Sequence, residues 1–164
     1  MQKHIKTAIL SDAAFLATLA DEIWKEHYYP ITGKEHVDYL LETLQSEQVI
    51  AADIASGAAV YYFMCLDSVI AGYCAVNIEE KAVRLSKLYV KKEYRQMGLS
   101  RAMVDYIKKQ YAAKEYIHLI VNKRNEQSIA AYKHLGFEIV GATVIDVGNG
   151  HFMDDYVMRL EIRG

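Results

Sequence analysis

A change of hydrophobic period near Ala58 constrains the fold of this chain more than any other feature. Before this point apolar side chains recur at helical spacing, most clearly over residues 15–24. After it, three runs rich in β-branched and aromatic residues follow one another, at 60–64, 69–76 and 83–90. Apolar residues at helical spacing would not all lie on one face of a strand, so the two patterns indicate different secondary-structure elements. The second pattern predicts an antiparallel meander of three strands.

Helices are predicted before the meander. The first begins after the capping hydroxyl of Ser11 and should end near Tyr28, because Pro30 has no backbone N–H with which to continue a helix. Thr32 and Glu35 have the spacing of a capping box, in which a hydroxyl and a carboxylate satisfy each other's backbone N–H groups. This spacing predicts the start of a second helix.

The other elements alternate between strand and helix. They are a strand at 5–9, a short helix at 46–56 ended by Gly57, a helix at 98–112, a strand at 116–121, a helix at 127–134 and two strands around a turn at 148–150. The helix at 98–112 joins two strands, and such a crossover makes the strands parallel. We therefore predict a mixed α/β fold, with a mostly antiparallel twisted sheet, one parallel pair and flanking helices. A length of 164 residues predicts a single domain over 1–164.

The composition narrows the class of protein. Hydrophobic residues make up 52% of the chain and proline occurs once, which is typical of a globular domain and excludes collagen-like and low-complexity chains. No apolar run nears the roughly 20 residues of a membrane span, and the first residues lack the apolar stretch of a signal peptide. A cytoplasmic location without membrane contact is expected. Cys65 and Cys74 form no C-x-x-C pair and the histidines lack ligand spacing, so no metal site is predicted.

Charge is distributed unevenly along the chain. The formal net charge is −2, but residues 11–57 carry nine acidic residues and two lysines, a net charge of −7. This asymmetry predicts a cationic ligand at one end of the molecule and an anionic ligand at the other. Solvated helix faces explain the acidic residues equally well. The weak overall charge gives no support to nucleic-acid binding.

The loop at 95–100, with the sequence Arg-Gln-Met-Gly-Leu-Ser, lies between the last strand of the meander and the following helix. A strand that turns into a helix directs free backbone N–H groups and the positive end of the helix dipole at one point, which suits a phosphate. Gly98 would let the backbone approach an anion closely. An ordinary helix cap is the alternative. The spacings of a P-loop and of a dinucleotide-binding G-x-G-x-x-G motif are both absent.

Two motifs together resemble the GNAT acetyltransferase superfamily. The loop at 95–100 is similar to the R/Q-x-x-G-x-G/A pyrophosphate loop of that family. Residues 125–137 are similar to its second signature, an Asn followed by a helix that ends in Tyr-x-x-x-Gly-Phe. The order of predicted elements agrees over nearly the whole chain. Ser100 departs from the usual Gly or Ala, and its small side chain should fit.

The resemblance implies acetyl-CoA as the co-substrate and assigns roles to single residues. The implied cofactor-binding residues are Leu88, Tyr89 and Val90 in a strand that splays from its parallel neighbour, then Arg95, Gln96, Met97, Gly98, Leu99 and Ser100 through their backbone N–H groups, and Asn125 on the pantetheine arm. Tyr132 would lie near the thioester sulfur as the catalytic acid, because a phenol with a pKa near 10 is protonated at pH 7. A tyrosine that only packs on the sheet is the alternative.

The general base is not evident from the sequence. An amine with a pKa of about 10.4 is almost fully protonated at pH 7, so some group must accept a proton before the amine can attack. Many relatives use a glutamate on the strand before the pyrophosphate loop, but residues 85–88 contain no carboxylate. The candidates, acting through water, are Glu26, His27, Asp154 and Asp155.

The acceptor is expected to be a small cationic amine. The candidate substrate-binding residues are Glu26, His27, Tyr28 and Tyr29, at the end of the first helix, where aromatic rings can make cation–π contacts. Plain packing of these rings is as good an interpretation. The general appearance of the chain, including the sequence Met-Asp-Asp-Tyr-Val-Met at 153–158, resembles bacterial transferases that acetylate polyamines.

Other functions stay open. A peptide or protein N-acetyltransferase is the alternative within enzymes, and a catalytically degenerate CoA-binding regulatory module is the alternative outside them. Nucleic-acid binding is not predicted, because an anionic cofactor already explains the basic residues around the loop. The final hairpin is a candidate surface for a homodimer.

Overall fold

A computed structural model describes residues 2–162, which form one seven-stranded sheet with helices on both faces. The elements are β1 (Lys3–Thr7), α1 (Ala13–Thr32), α2 (Lys34–Leu44), α3 (Glu47–Ser56), β2 (Val60–Leu66), β3 (Val69–Ile78), β4 (Ala82–Val90), α4 (Leu99–Gln110), β5 (Tyr116–Asn122), α5 (Glu126–His134), β6 (Glu138–Gly148) and β7 (His151–Glu161). Short 3₁₀ turns at Leu10–Asp12 and Lys92–Tyr94 precede α1 and α4.

The sheet has the strand order β1-β2-β3-β4-β5-β7-β6. Neighbouring strands are antiparallel except β4 and β5, which are parallel and joined through α4. The predicted fold class is therefore confirmed, including the three-stranded meander and the single parallel pair. None of the helices within residues 2–162 is long and apolar enough to cross a membrane.

β4 and β5 pair only at their first residues. The parallel register runs from Ala82 opposite Tyr116 to Arg84 opposite His118, although both strands continue for several residues beyond this point. The register between β3 and β4 shifts at Ser86, whose hydroxyl donates a hydrogen bond to the Ala75 carbonyl at 3.1 Å. A β-bulge increases the local twist of a strand. This bulge lies where β4 departs from β5, and the two strands enclose a wedge-shaped gap.

Each face of the sheet carries its own hydrophobic core, because side chains alternate between the faces of a strand. On one face, Met103 and Ile107 of α4 and Phe137 pack against β3, β4 and β5, each at most 2% exposed. On the other face, α1, α2 and α3 pack through a second set that includes Leu16 and Ile50, both fully buried. The gap between β4 and β5 thus lies between two packed helical layers.

The predicted end of α1 is wrong. The helix continues through Pro30 to Thr32 and stops at Gly33, which has φ +90°. A proline removes one intrahelical hydrogen bond, and this loss is small near the end of a 20-residue helix whose apolar face packs on the sheet. The predicted capping box is wrong for the same reason, because Thr32 belongs to α1 and its hydroxyl donates to the Tyr28 carbonyl at 3.4 Å.

The start of α1 also differs from the prediction. β1 ends at Thr7, and Ile9 is 62% exposed in the turn that follows. The N-cap of α1 is Asp12 instead of Ser11, and no side chain caps this helix end. A carboxylate oxygen of Asp12 accepts the N–H of Ile9, in the preceding turn, at 2.8 Å. The prediction for α3 is confirmed, since Ser46 caps its first turn and Gly57 ends it with φ +77°.

Candidate active site

A cavity of about 560 Å³ opens where β4 and β5 separate, bounded by α1, the 95–100 loop, α4 and α5. Eight residues predicted to bind the cofactor line it, together with the predicted acid Tyr132: Leu88, Tyr89, Val90, Arg95, Gln96, Gly98, Leu99 and Ser100. Two predicted cofactor residues, Met97 and Asn125, do not line this cavity. The structure therefore brings both sequence motifs to one site.

The 95–100 loop is shaped by two residues with positive φ. Gln96 has φ +62° and Gly98 has φ +79°, and Gly98 is the N-cap of α4. First-turn N–H groups of a helix have no intrahelical acceptors, and no side chain caps this helix end, so these groups are free to bind a ligand. Lys3 of β1 lies beside the loop, with its Nζ 3.2 Å from where a Cβ of Gly98 would be. The loop thus combines free N–H donors, a helix N-terminus and positive charge, a combination that binds phosphate.

The side chain of Arg95 bonds this loop to both α1 and β4. Its Nε donates to the Val90 carbonyl at 3.1 Å, and its guanidinium pairs with Glu26 at 2.7 and 3.5 Å. Its backbone N–H donates to the Lys92 carbonyl at 3.4 Å. The side chain of Arg95 therefore positions the loop, and the N–H groups that follow it in the chain are the ones free to bind an anion.

Tyr132 lies in α5 with its ring against Phe137, the centroids 5.6 Å apart in an edge-to-face arrangement. Burial, followed by the neighbouring Tyr28, raises the pKa of Tyr132 well above the ordinary value for tyrosine. The hydroxyl is therefore protonated throughout the physiological pH range. It can donate a hydrogen bond inside the cavity that Tyr132 lines.

The four predicted substrate residues at the end of α1 point in different directions, because successive helical residues are about 100° apart. His27 lines the cavity, and Glu26 pairs with Arg95. Tyr28 packs its ring on Trp24 with centroids 4.7 Å apart, and burial raises the pKa of Tyr28 to about 12. Tyr29 donates to the Asp38 carboxylate, on the side of α2. Only His27 of the four lines the cavity.

Asn125 connects α5 to α1. It is 1% exposed and is the N-cap of α5, where its Oδ1 accepts the Ser128 N–H at 3.2 Å. The same oxygen lies 3.2 Å from Nε2 of His27, and Nδ2 donates to the Tyr28 hydroxyl at 3.0 Å. One amide hydrogen remains for any contact with a ligand.

The candidate bases occupy distinct environments. Asp154 pairs with Lys123 at 3.1 Å on the surface. Asp155 is 2% exposed, and burial, followed by the charge of Asp154, raises its pKa to about 6. Neither lines the cavity, and the carboxylate of Glu26 is held by Arg95. Burial is the main cause that lowers the pKa of His27, so its imidazole is neutral at pH 7.

Sequence reasoning missed part of the cavity lining. The missed residues are Ile23, Tyr94, Gln127, Ser128, Ala131, His134 and Leu135. Helical spacing could have found several of them, since Ile23 precedes His27 by four residues and Ser128 precedes Tyr132 by four. Arg101 is held by the His134 carbonyl at 3.3 Å and adds positive charge near the N-terminus of α4.

The residues present fit coenzyme A. The free N–H groups around Gly98 suit a diphosphate, and the gap beyond Arg84 leaves strand edges to which an extended amide-containing arm can bind. Leu88 and Leu135 supply an apolar lining. Among residues 2–162, no cluster of three or more His, Cys, Asp or Glu side chains could hold a metal ion.

Comparisons with known proteins agree with this geometry. The model of the acetyltransferase (GNAT) family matches residues 17–137. PaiA N-acetyltransferase from Thermoplasma acidophilum, solved in complex with coenzyme A, is similar over 98% of this chain and 99% of that one, with 20% identity and a TM-score of 0.78. A GCN5-related N-acetyltransferase from Rhodopseudomonas palustris is 14% identical with a TM-score of 0.79, and covers 98% of this chain and 96% of its own.

A further similar structure is a chimera of spermidine N-acetyltransferase SpeG from Vibrio cholerae and hSSAT. It is 17% identical, with a TM-score of 0.71, over 99% of this chain and 96% of that one. At such identities these structures share the fold with this chain, while the family model, which spans most of the chain, shows the family. The chain belongs to the GNAT family of acetyltransferases, which use acetyl-CoA as the acyl donor.

Proposed function

We propose that this acetyltransferase transfers an acetyl group directly from acetyl-CoA to a primary amine, and that the acceptor is a small cationic amine such as a polyamine. The observation that carries the proposal is the single cavity shared by the 95–100 loop, the end of β4, Tyr132 and His27. An anion site, an apolar channel, a hydrogen-bond donor and a neutral imidazole are thereby adjacent. We further propose that residues 1–164 act as one domain.

The loop and the gap supply binding and orientation. Backbone N–H groups from Gln96 to Ser100 would hold the diphosphate. The free backbone edge of β4 at Leu88, Tyr89 and Val90 would bind the pantetheine arm. Bound acetyl-CoA supplies a thioester carbonyl as the acyl donor. A backbone N–H near Val90 is a candidate donor to the oxygen of that carbonyl, where negative charge develops.

Tyr132 is proposed to stabilise the leaving sulfur. Because its pKa lies above the ordinary value of about 10 and that of a thiol is about 8.5, complete proton transfer from the phenol to a thiolate is unfavourable. Its hydroxyl therefore acts by donating a hydrogen bond to the developing negative charge on sulfur. This interaction strengthens as the C–S bond breaks, which is the condition for it to accelerate the reaction.

The acceptor proposal depends on charge outside the cavity. None of the side chains that line the cavity is a carboxylate. Of the nine acidic residues at 11–57, four form ion pairs: Asp21 with Lys25, Asp38 with Lys34, Glu22 with Lys91 and Glu26 with Arg95. The other five give residues 11–57 a negative field that would concentrate a polycation near the site. The spermidine N-acetyltransferase chimera of the same fold is consistent with such an acceptor.

The alternatives make different predictions. A peptide or protein acetyltransferase would prefer a lysine peptide to a free polyamine, and a regulatory module would bind acetyl-CoA without turnover. A homodimer is proposed through β6, an edge strand that exposes Val140 and Val144 at 60% and 63%. The cytoplasmic location and the lack of nucleic-acid and membrane partners stay predictions of the sequence.

The experiment is a calorimetric titration with acetyl-CoA, followed in the same sample by a thiol-release assay with spermidine, spermine, short diamines and a lysine peptide. Saturable 1:1 binding with turnover on polyamines supports the proposal. Binding with no turnover on any amine favours the regulatory module. A lack of binding contradicts the assignment of the 95–100 loop.

A further inference from the structure

The hydrogen bonds of Asn125 determine which nitrogen of His27 carries the proton. The backbone N–H of Ser128 can only donate, so the atom of Asn125 that it meets at 3.2 Å must be the amide oxygen Oδ1. The amide nitrogen is then directed at the Tyr28 hydroxyl, 3.0 Å away. The same Oδ1 lies 3.2 Å from Nε2 of His27. Since an oxygen acceptor needs a hydrogen from its partner, Nε2 of His27 must be the protonated nitrogen.

The other ring nitrogen of His27 is therefore the basic one. Nδ1 of His27 accepts no hydrogen bond from any side chain or backbone group within residues 2–162. His27 lines the cavity that Tyr132 also lines, whereas Asn125 lies behind it, 1% exposed. A neutral imidazole with one fixed tautomer thus carries an unpaired lone pair on a residue that lines the cavity.

Charged and titratable groups face His27 from each element packed around it. Glu26 of α1 favours its protonation and Arg95 of the loop opposes it, and these two are paired with each other at 2.7 Å. The ring of Tyr28 stands edge-to-face at 4.8 Å, and the Asn125 amide faces Nε2. Tyr132 shares the cavity and stays neutral. Glu26 and Arg95 shift the pKa of His27 in opposite directions, the hydrogen bond to Asn125 raises it, and burial, which lowers it, is the largest influence.

We propose that His27 is the general base of the reaction, accepting a proton from the acceptor ammonium at Nδ1, and that Asn125 is the positioning residue that holds His27 as the Nε2–H tautomer. This inference rests on the proposed function in that the acceptor is an amine. It assigns the role for which residues 85–88 offer no carboxylate. Of the four candidate bases, His27 is the one that lines the cavity.

The acceptor ammonium gives one proton to Nδ1 of His27, and the amine attacks the thioester carbonyl with the lone pair this frees. As the N–C bond forms and the C–S bond breaks, the nitrogen loses a second proton, which neutralises the leaving sulfur as a thiol. The His27 imidazolium releases the first proton to solvent before the next turnover.

The tautomer can be measured without any substrate. In full-length protein with ¹⁵N-labelled histidine, ring ¹⁵N–¹H correlation spectra distinguish a protonated from an unprotonated ring nitrogen, and a His27→Gln variant identifies the signal. His4→Gln, at an exposed position on β1, is the matched control. We expect Nε2 of His27 protonated and Nδ1 bare at pH 7.5. A Nδ1–H tautomer, or two tautomers in exchange, would overturn the positioning role of Asn125.

Two variants of Asn125 separate positioning from folding. Asn125→Ser and Asn125→Asp both keep a good N-cap for α5, because Ser and Asp are preferred at that position. Serine is too short to reach His27, so we expect mixed tautomers and a kcat lower by about 10-fold, the usual effect of losing a partner that orients a histidine. Aspartate places a carboxylate on Nε2–H, so the acid limb of kcat/KM should move up by about one pH unit. A purely structural Asn125 would leave the pH profile of both variants unchanged.

Spermidine is the probe for the base itself. His27→Gln should lower kcat at pH 7 by about 100-fold with unchanged acetyl-CoA affinity, in the range for loss of a general base. The deficit should shrink as the pH rises towards the pKa of the amine, because free amine then needs no base. Wild-type kcat in His27→Gln at pH 7, with spermidine acetylated, would refute the base while leaving the proposed function intact. If no amine is acetylated by wild-type protein, the proposed function and the base fail together, and the tautomer spectrum alone decides the positioning role.

Discussion

Gly72 of β3 and Val90 of β4 face each other so closely that a side chain on the glycine has no room. A Cβ built on Gly72 would lie 3.0 Å from Cα of Val90 and 2.3 Å from the carbonyl oxygen of Tyr89. Both obstructing atoms belong to the backbone. The missing side chain thus allows the end of β4, which lines the cavity, to lie against β3.

Gly72→Ala should therefore displace the end of β4. We expect a loss of about 1–3 kcal/mol in the free energy of unfolding, the usual cost of forcing atoms into a packed site, together with weaker acetyl-CoA binding. Urea denaturation and calorimetry measure the two effects. Gly141→Ala is the matched control, because the nearest atom to its Cβ is 4.0 Å away. Equal stability of the two variants would show that β4 can shift at this point without a loss of stability, and would contradict the prediction.

Gly98→Glu should abolish acetyl-CoA binding, because it places a negative charge on the loop proposed to hold the diphosphate. Gly57→Glu is matched in conformation, since the two glycines have φ of +79° and +77°. Both variants should lose about 1–2 kcal/mol of stability from a side chain in the left-handed region. By calorimetry only Gly98→Glu should bind acetyl-CoA about 100-fold more weakly or worse, equivalent to about 2.8 kcal/mol. Equal affinities for the two variants would contradict the placement of the diphosphate.

Tyr132→Phe should lower kcat by about 10- to 100-fold and leave acetyl-CoA affinity within twofold, because it removes a hydrogen bond made to a developing charge. Tyr106→Phe on α4 removes a hydroxyl outside the cavity and keeps its ring against Tyr62, 5.4 Å away. That control should behave as wild type. Steady-state kinetics with spermidine test both variants, and an unchanged kcat in Tyr132→Phe would remove this residue from the mechanism.

Asp155→Asn should stabilise the protein near pH 7. Burial raises the pKa of Asp155 to about 6, above the value of 3.8 for an exposed carboxyl. The folded state thus favours the neutral form, and its stability falls as the pH rises through the window between these two values. We expect the variant to gain up to about 2 kcal/mol over wild type at pH 7.5 and little at pH 4.

The same measurement on Asp154→Asn is the control. Asp154 is 59% exposed, pairs with Lys123, and contributes less than burial does to the raised pKa of Asp155, so Asp154→Asn should stabilise the protein less than Asp155→Asn does at pH 7.5. A gain for Asp155→Asn that does not depend on pH would mean that the carboxyl of Asp155 titrates normally in the folded protein.

Much of the fold follows from local patterns in the sequence. The meander, the helix between β4 and β5 and the turn at 148–150 were all predictable, because period and turn residues act over a few positions. The end of α1 was not, because the rule that helices stop before proline neglects the packing of a long helix on the sheet. The helix ends at Gly33, which has φ +90°, and the sequence pattern does not distinguish this glycine from the others.

The candidate site, like the fold, was predictable only in part from the sequence. The position of the loop around Gly98 and the position of Tyr132 in the same cavity were predictable from the two motifs. The contacts of Asn125 with His27 and Tyr28 were not, because they join residues about 100 positions apart. The bulge at Ser86 was not predictable either, because it depends on how β4 pairs with β3, which no local pattern encodes. His27 was one of four candidate bases in the sequence, and only the folded chain separates it from the other three.

The most direct test of the proposed activity is a competition experiment. Wild-type protein receives acetyl-CoA with equal concentrations of spermidine and a lysine peptide, and mass spectrometry identifies the acetylated products while thiol release counts the turnovers. We predict that acetylspermidine accumulates in proportion to the thiol and that the peptide stays largely unmodified. Acetylation confined to the peptide, or thiol release without an acetylated amine, would contradict transfer to a small cationic acceptor.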